Sequence, residues 1–142
     1  MKIPLIKRKI LGYERYVVTL NITVKDLKIF GIEALIDTGS PHTILMEKDL
    51  RRLRLPYTSL PEDKQMKLGG YTVKLIDIGE CILTFKDVNE NLISFKQKVF
   101  GGYITKRDVQ HFPNILGLDF LDAQKLNFII DENGNRFLER EK

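Results

Sequence analysis

The sequence predicts a single all-β domain, mainly antiparallel, with one or two short helices. Three observations lead there. Val18, Leu20, Ile22 and Val24 alternate with Thr19, Asn21 and Thr23, the period-two pattern of a strand with one buried face. Further apolar runs recur at residues 29–36, 71–75, 78–85, 92–100 and 126–130, separated by turns rich in Gly, Pro, Asn and Asp. Asn133-Gly134 lies between the runs at 126–130 and 136–138, and Asn-Gly between apolar strands is a strong local hairpin signal. At 142 residues the chain fits one domain with a real core.

Taken in order, residues 1–12 are apolar and basic by turns, punctuated by Pro4 and Gly12, and read as a loose arm or edge strand. Residues 16–24 form the alternating strand, 25–28 turn the chain, and 29–36 return as a second strand. Its end, Ala34-Leu35-Ile36, is apolar at consecutive positions and reads as buried on both faces. Residues 41–45 should be extended, and 47–53 helical with Leu50 and Leu53 on one side, ended by Pro56. After a loop at 61–63, strands at 66–68 and 71–75 flank a Gly69-Gly70 tip. Strands at 78–85 and 92–100 pair around the polar turn 86–91. Residues 101–113 read as a long loop, 115–117 as an apolar segment ending in glycine, and 119–125 as a short helix before the C-terminal hairpin.

Composition narrows the function classes. With 23 basic and 19 acidic residues the net charge is +4, and the signs are mixed. The clusters at Lys7-Arg8-Lys9 and around Arg51-Arg52 and Arg54 read as solvated faces, so no nucleic-acid partner is expected. One cysteine, Cys81, forbids an intrachain disulfide. His42 and His111 provide no metal-ligand spacing, so neither a metal nor a cofactor is expected. No run approaches the ~20 apolar residues of a membrane span, and the N-terminus lacks a signal-peptide core. The expectation is a soluble cytoplasmic protein without a membrane partner.

The chemistry centres on Asp37-Thr38-Gly39-Ser40. An aspartate delivered by a buried strand incurs a desolvation cost unless something uses it. A hydroxyl and a glycine next to it let the backbone fold around the carboxylate and donate to it, leaving its outer oxygens open to a ligand. Far downstream, Asn114-Ile115-Leu116-Gly117 is another apolar run ending in glycine, followed by Leu118-Asp119-Phe120-Leu121.

In that order, an Asp-Thr-Gly turn, a Gly-containing hairpin and an apolar-apolar-Gly segment before a helix, this chain resembles the retroviral-type (retropepsin-like) aspartic proteases. The resemblance spans residues 16–131. It implies a closed, barrel-like acid protease lobe over residues 1–142, with the 66–75 hairpin as a flap. It also implies a homodimeric aspartic endopeptidase, because the family's mechanism needs two facing aspartates and this chain has one Asp-Thr-Gly. The other Asp-x-Gly, Asp77-Ile78-Gly79, lacks the hydroxyl residue. By the same resemblance Asp37 is catalytic, Thr38 bonds across the two-fold axis, and Gly39 leaves room for a peptide or protein substrate. His42, Ile44, Gly69, Gly70, Tyr71 and Ile115 are then candidate substrate contacts. The hairpin at 126–139, with its apolar strands, is the candidate dimer interface.

Two positions depart from the viral pattern. Pro41 and Leu118 stand where viral members carry an acidic residue and an arginine that pair, so both halves of that bridge are missing together. Leu118-Asp119-Phe120-Leu121 looks more like the cellular and prokaryotic members. Ser40 can be read in two ways: its hydroxyl donates to Asp37, lowering the pKa values of the pair and giving an acidic optimum, or it caps its own turn. A retropepsin-fold module that binds or assembles without cutting is the alternative to the enzyme.

Overall fold

Strands β3 (Tyr13–Val24) and β4 (Leu27–Asp37) form the antiparallel pair that the alternating pattern calls for, in a computed structural model that describes residues 1–68, 70–104 and 112–140. Val18, Leu20, Ile22 and Val24 are all buried, as their spacing requires. In β4 the buried set changes phase, from Ile29 to Ile32 and Ala34. A bulge between Leu20 and Ile22 accounts for this shift, with the Asn21 side-chain oxygen accepting the Gly31 N–H at 2.9 Å. The extra residue flips the inward face, so a single strand satisfies two registers of apolar residues.

The remaining elements are β1 (Lys2–Pro4), β2 (Ile6–Ile10), β5 (Ile44–Met46), α1 (Glu47–Leu50), β6 (Lys64–Leu68), β7 (Tyr71–Lys86), β8 (Leu92–Tyr103), β9 (Asn114–Gly117), α2 (Leu118–Ala123), β10 (Leu126–Ile130) and β11 (Arg136–Arg140). Eight of the strands form one sheet in the order β2-β3-β4-β9-β5-β8-β7-β6. An added pairing of β3 with β7, from Leu20↔Phe85 to Thr23↔Ile82, closes β3-β4-β9-β5-β8-β7 into a barrel. The expected all-β, barrel-like class is therefore what the chain adopts.

The core follows from that closure. Phe85, Phe95 and Phe120 meet with ring centroids 5.4–5.9 Å apart, and Phe120 of α2 is wholly buried. Such aromatic pairs add about 0.5–1.5 kcal/mol each beyond the area they bury. A second, smaller cluster unites Ile44, Met46, Val73, Leu75, Phe100 and Ile115, with Met66 and Tyr71 packed against it.

Several local expectations need correction. Of the two readings of residues 1–12 the edge strand holds and the loose arm does not: β1 pairs with β11, burying Ile3, and β2 pairs with β3, each at the edge of its sheet. Residues 101–103 are strand, not loop. Glycines there allow close packing, because a Cβ on Gly101 would lie 2.8 Å from the Leu50 side chain and one on Gly102 2.6 Å from that of Ile44. Residues 105–111 of that loop, His111 among them, lie outside the described residues, as does Gly69. The runs at 71–75 and 78–85 are one strand, β7, bulged between Asp77 and Glu80. The helix after β5 becomes 3-10 over Arg51–Leu53 and ends at left-handed Arg54, before Pro56. At the C-terminus, Asp131 accepts the Asn133 and Asn135 N–H groups and closes the expected β10–β11 hairpin, which β1 extends to three strands.

Candidate active site

Asp37 ends β4 and lies opposite Gly117 in a parallel pairing of β4 with β9, while β5 joins the other side of β9 with Ile44 opposite Ile115. The chain leaves β4, makes the Thr38-Gly39 turn and re-enters the sheet as β5, so β9 passes between the two arms of the loop. Gly117 is required at this crossing. A Cβ there would lie 2.3 Å from the His42 carbonyl oxygen and 2.8 Å from that of Ser40. The Leu118 N–H donates to the Ser40 carbonyl at 2.8 Å, fastening the start of α2 to the loop.

Within the turn, the Gly39 N–H donates to Asp37 Oδ1 at 2.9 Å and the Ser40 N–H to the Asp37 carbonyl at 3.1 Å. Asp37 Oδ2 accepts no hydrogen bond among the described residues. Asp37 is half-buried, and Thr38 and Gly39 are exposed. Leu35 and Ile36 are also half-buried, so the end of β4 is not covered on both faces in the single chain as the apolar run suggested. The buried residue of the motif is Ser40, at 1% exposure. Its hydroxyl donates to the His42 carbonyl at 2.8 Å and accepts the His42 N–H at 3.4 Å. Of the two readings of Ser40, the geometry selects the turn cap over the bond to Asp37.

Among the proposed substrate contacts, Ile44, Tyr71 and Ile115 share the second apolar cluster, in which the β6–β7 hairpin packs on the β5–β9 pair. Gly70 lies at the hairpin tip with φ +83°, a conformation that glycine adopts freely and that the turn itself demands. His42 packs on a member of the same cluster, its ring edge-on to Phe100 at 4.9 Å. Lys64 and Lys98 lie over the same Phe100 ring, 4.8 and 5.1 Å from its centroid. Burial, then the Lys64 charge, and further on Lys98, push the His42 pKa below its usual 6.5 against the opposing pull of Asp119 and Asp63.

Asp77 repeats part of the Asp37 geometry, accepting the Gly79 N–H at 2.8 Å, but it sits at the β7 bulge and pairs with Lys98 at 3.2 Å. The Gly79 amide, assisted by Lys98, holds its carboxyl below the usual range. That is the chemistry of a bulge brace.

Sequence reasoning missed a second set of polar residues that fixes the loop. Asp119 accepts from Thr43 and Gln97. Asn114 accepts the Met46 N–H at 2.7 Å and donates to the Glu33 carbonyl and Asp49, joining β4, β5, α1 and β9. Asn114 and Asp119 flank the quoted apolar-Gly segment, and a polar residue at each end of a buried run was the available signal. Their partners are 22 to 81 positions away, and no local pattern names them.

No protein-family model matches the chain, and no curated protein matches it. The β9 crossing and the closed barrel define a retropepsin-like all-β fold. A solved structure carries the same likeness: a retropepsin-like aspartic protease from Rickettsia conorii superposes with a TM-score of 0.54 at 18% identity, covering 97% of this chain and 88% of that one. The retroviral protease-like domain of Ddi1 from Leishmania major gives a TM-score of 0.44 at 16% identity, covering 89% and 96%. Among the described residues, no helix is long and apolar enough to cross a membrane.

Proposed function

We propose that the chain is an aspartic endopeptidase that acts as a homodimer, with one Asp37 from each copy forming the catalytic dyad. The observation that carries this reading is the Asp37 turn. Its carboxylate is held by one oxygen on the Gly39 N–H, the other oxygen accepts no bond from the described residues, and the loop is locked from behind by Gly117.

Two carboxylates about 3 Å apart cannot both ionise easily, so the pair shares one proton. The ionised member takes a proton from water as that water attacks the scissile carbonyl carbon, while the protonated member donates to the carbonyl oxygen. Collapse of the tetrahedral intermediate breaks the C–N bond, with a proton delivered to the leaving nitrogen. A two-fold axis between two copies of Asp37 supplies both roles from one sequence. Thr38, exposed at the turn, faces the axis in this reading, and the half-covered Leu35 and Ile36 gain cover from the partner.

Ile44 and Ile115 are buried at 1% exposure each and back the site from within the core, while the half-buried Tyr71 offers the apolar contact to an extended peptide, and the β6–β7 hairpin with Gly70 at its tip serves as the flap that closes over it. For the interface we propose the outer edge of β10, which has no strand partner among the described residues and exposes Phe128 and Ile130. The other edge of its hairpin is already taken by β1.

The test is cleavage of a peptide library by the wild type and by Asp37→Asn. Hydrolysis that disappears in a folded variant supports the reading, and cleavage within tenfold of wild type overturns it.

A further inference from the structure

The Asp119 carboxylate gathers four donors, which is more than a surface acid at the start of a six-residue helix needs. Oδ1 accepts the Thr43 hydroxyl at 2.8 Å and the Phe120 N–H at 2.8 Å. Oδ2 accepts the Thr43 N–H at 3.2 Å and the Gln97 amide at 3.0 Å. The Thr43 hydroxyl in turn accepts the Gly117 N–H at 3.1 Å. The end of the Asp37 loop, the turn after β9 and the middle of β8 are therefore tied at one carboxylate. Thr43 is only 5% exposed and Gln97 9%, so losing a partner would leave buried polar groups unsatisfied.

We infer that Asp119 is a positioning residue for the proposed hydrolysis, acting through Thr43 to set where the Asp37 turn stands. The tie between the segments that hold Pro41 and Leu118 is made one residue beyond Leu118 and two beyond Pro41, by a carboxylate on two backbone and two side-chain donors. Its chemistry is specific to an acid. Each oxygen receives a backbone N–H that cannot reverse direction, so an asparagine in either orientation would set its own NH2 against a donor. Because reacting groups must be held to within a fraction of an ångström, a loosened turn lowers turnover far more than it lowers substrate binding.

The inference rests on the proposed peptidase reading, and the experiment separates the two. Asp119→Asn, Thr43→Val and Thr43→Ser are compared with wild type for kcat and KM on one peptide, per folded protein. Amide hydrogen exchange is followed in residues 38–43 and 117–118. The expected result is a fall in kcat on the order of 10- to 100-fold for Asp119→Asn and Thr43→Val. KM should change less than about threefold, Thr43→Ser should recover most of the loss because it keeps the hydroxyl, and exchange should rise in those two segments. Equal kcat in folded variants, or a loss carried entirely by KM, overturns the inference. If Asp119→Asn does not fold, the Thr43→Val and Thr43→Ser pair decides. If wild type cleaves no peptide, the peptidase reading falls, while unchanged exchange in 38–43 would overturn the brace and raised exchange would support it.

Discussion

Ser40 illustrates how a side chain next to a catalytic candidate takes a different task from the one its position suggests. Its hydroxyl is used up on the His42 backbone, so Ser40→Ala should leave the shape of the pH–rate profile unchanged. It should cost about 1 kcal/mol of stability for the lost bond, read as a shift in the urea midpoint. His42 gives a pH signature of its own. The folded protein holds its pKa below the usual 6.5, so between the two values the unfolded chain binds more protons. Stability contributed by His42 is therefore present above pH 6.5 and lost as the pH falls through that window. His42→Gln should flatten this part of the profile, and an NMR titration of the ring should give a midpoint below 6.5 that rises in Lys64→Gln. Asp37, Thr38 and Gly39 were legible as candidates at this scale because an apolar run ending in an acid and a glycine is a local pattern. Thr43, Gln97 and Asp119 were not, since their meaning is a contact across 22 to 76 positions.

At the scale of elements, the alternation in β3 and the hairpin at 126–139 were written in the sequence, whereas Gly101-Gly102 pointed the wrong way. A glycine pair normally marks a turn, but here it makes room for side chains from β5 and α1 to pack against β8. Gly102→Ala should accordingly destabilise by roughly 1–3 kcal/mol, the usual cost of overpacking a core. A melting temperature unchanged from wild type would mean that the strand relaxes without strain. For residues 2–4 the sequence left a loose arm and an edge strand both open, since a three-residue strand becomes one only when β11 is there to pair with it.

Over the whole molecule, the barrel closes through the β3–β7 pairing, which joins residues about sixty positions apart and leaves no trace in local periodicity. The order of the motifs was what carried the class: an acid-glycine turn, a glycine hairpin and an apolar-glycine strand have to meet for the loop around Asp37 to be built. One chain supplies one such loop. The central claim is that a working site needs the loop twice, and the measurement that tests it is activity in mixtures of wild type and Asp37→Asn at constant total protein, after exchange of subunits. If each site takes one Asp37 from each copy, mixed dimers are inactive and activity follows the square of the wild-type fraction, leaving about one quarter at an equal mixture. Activity that falls in direct proportion to the wild-type fraction, leaving about one half, would contradict the shared dyad and require that a single chain cut by itself.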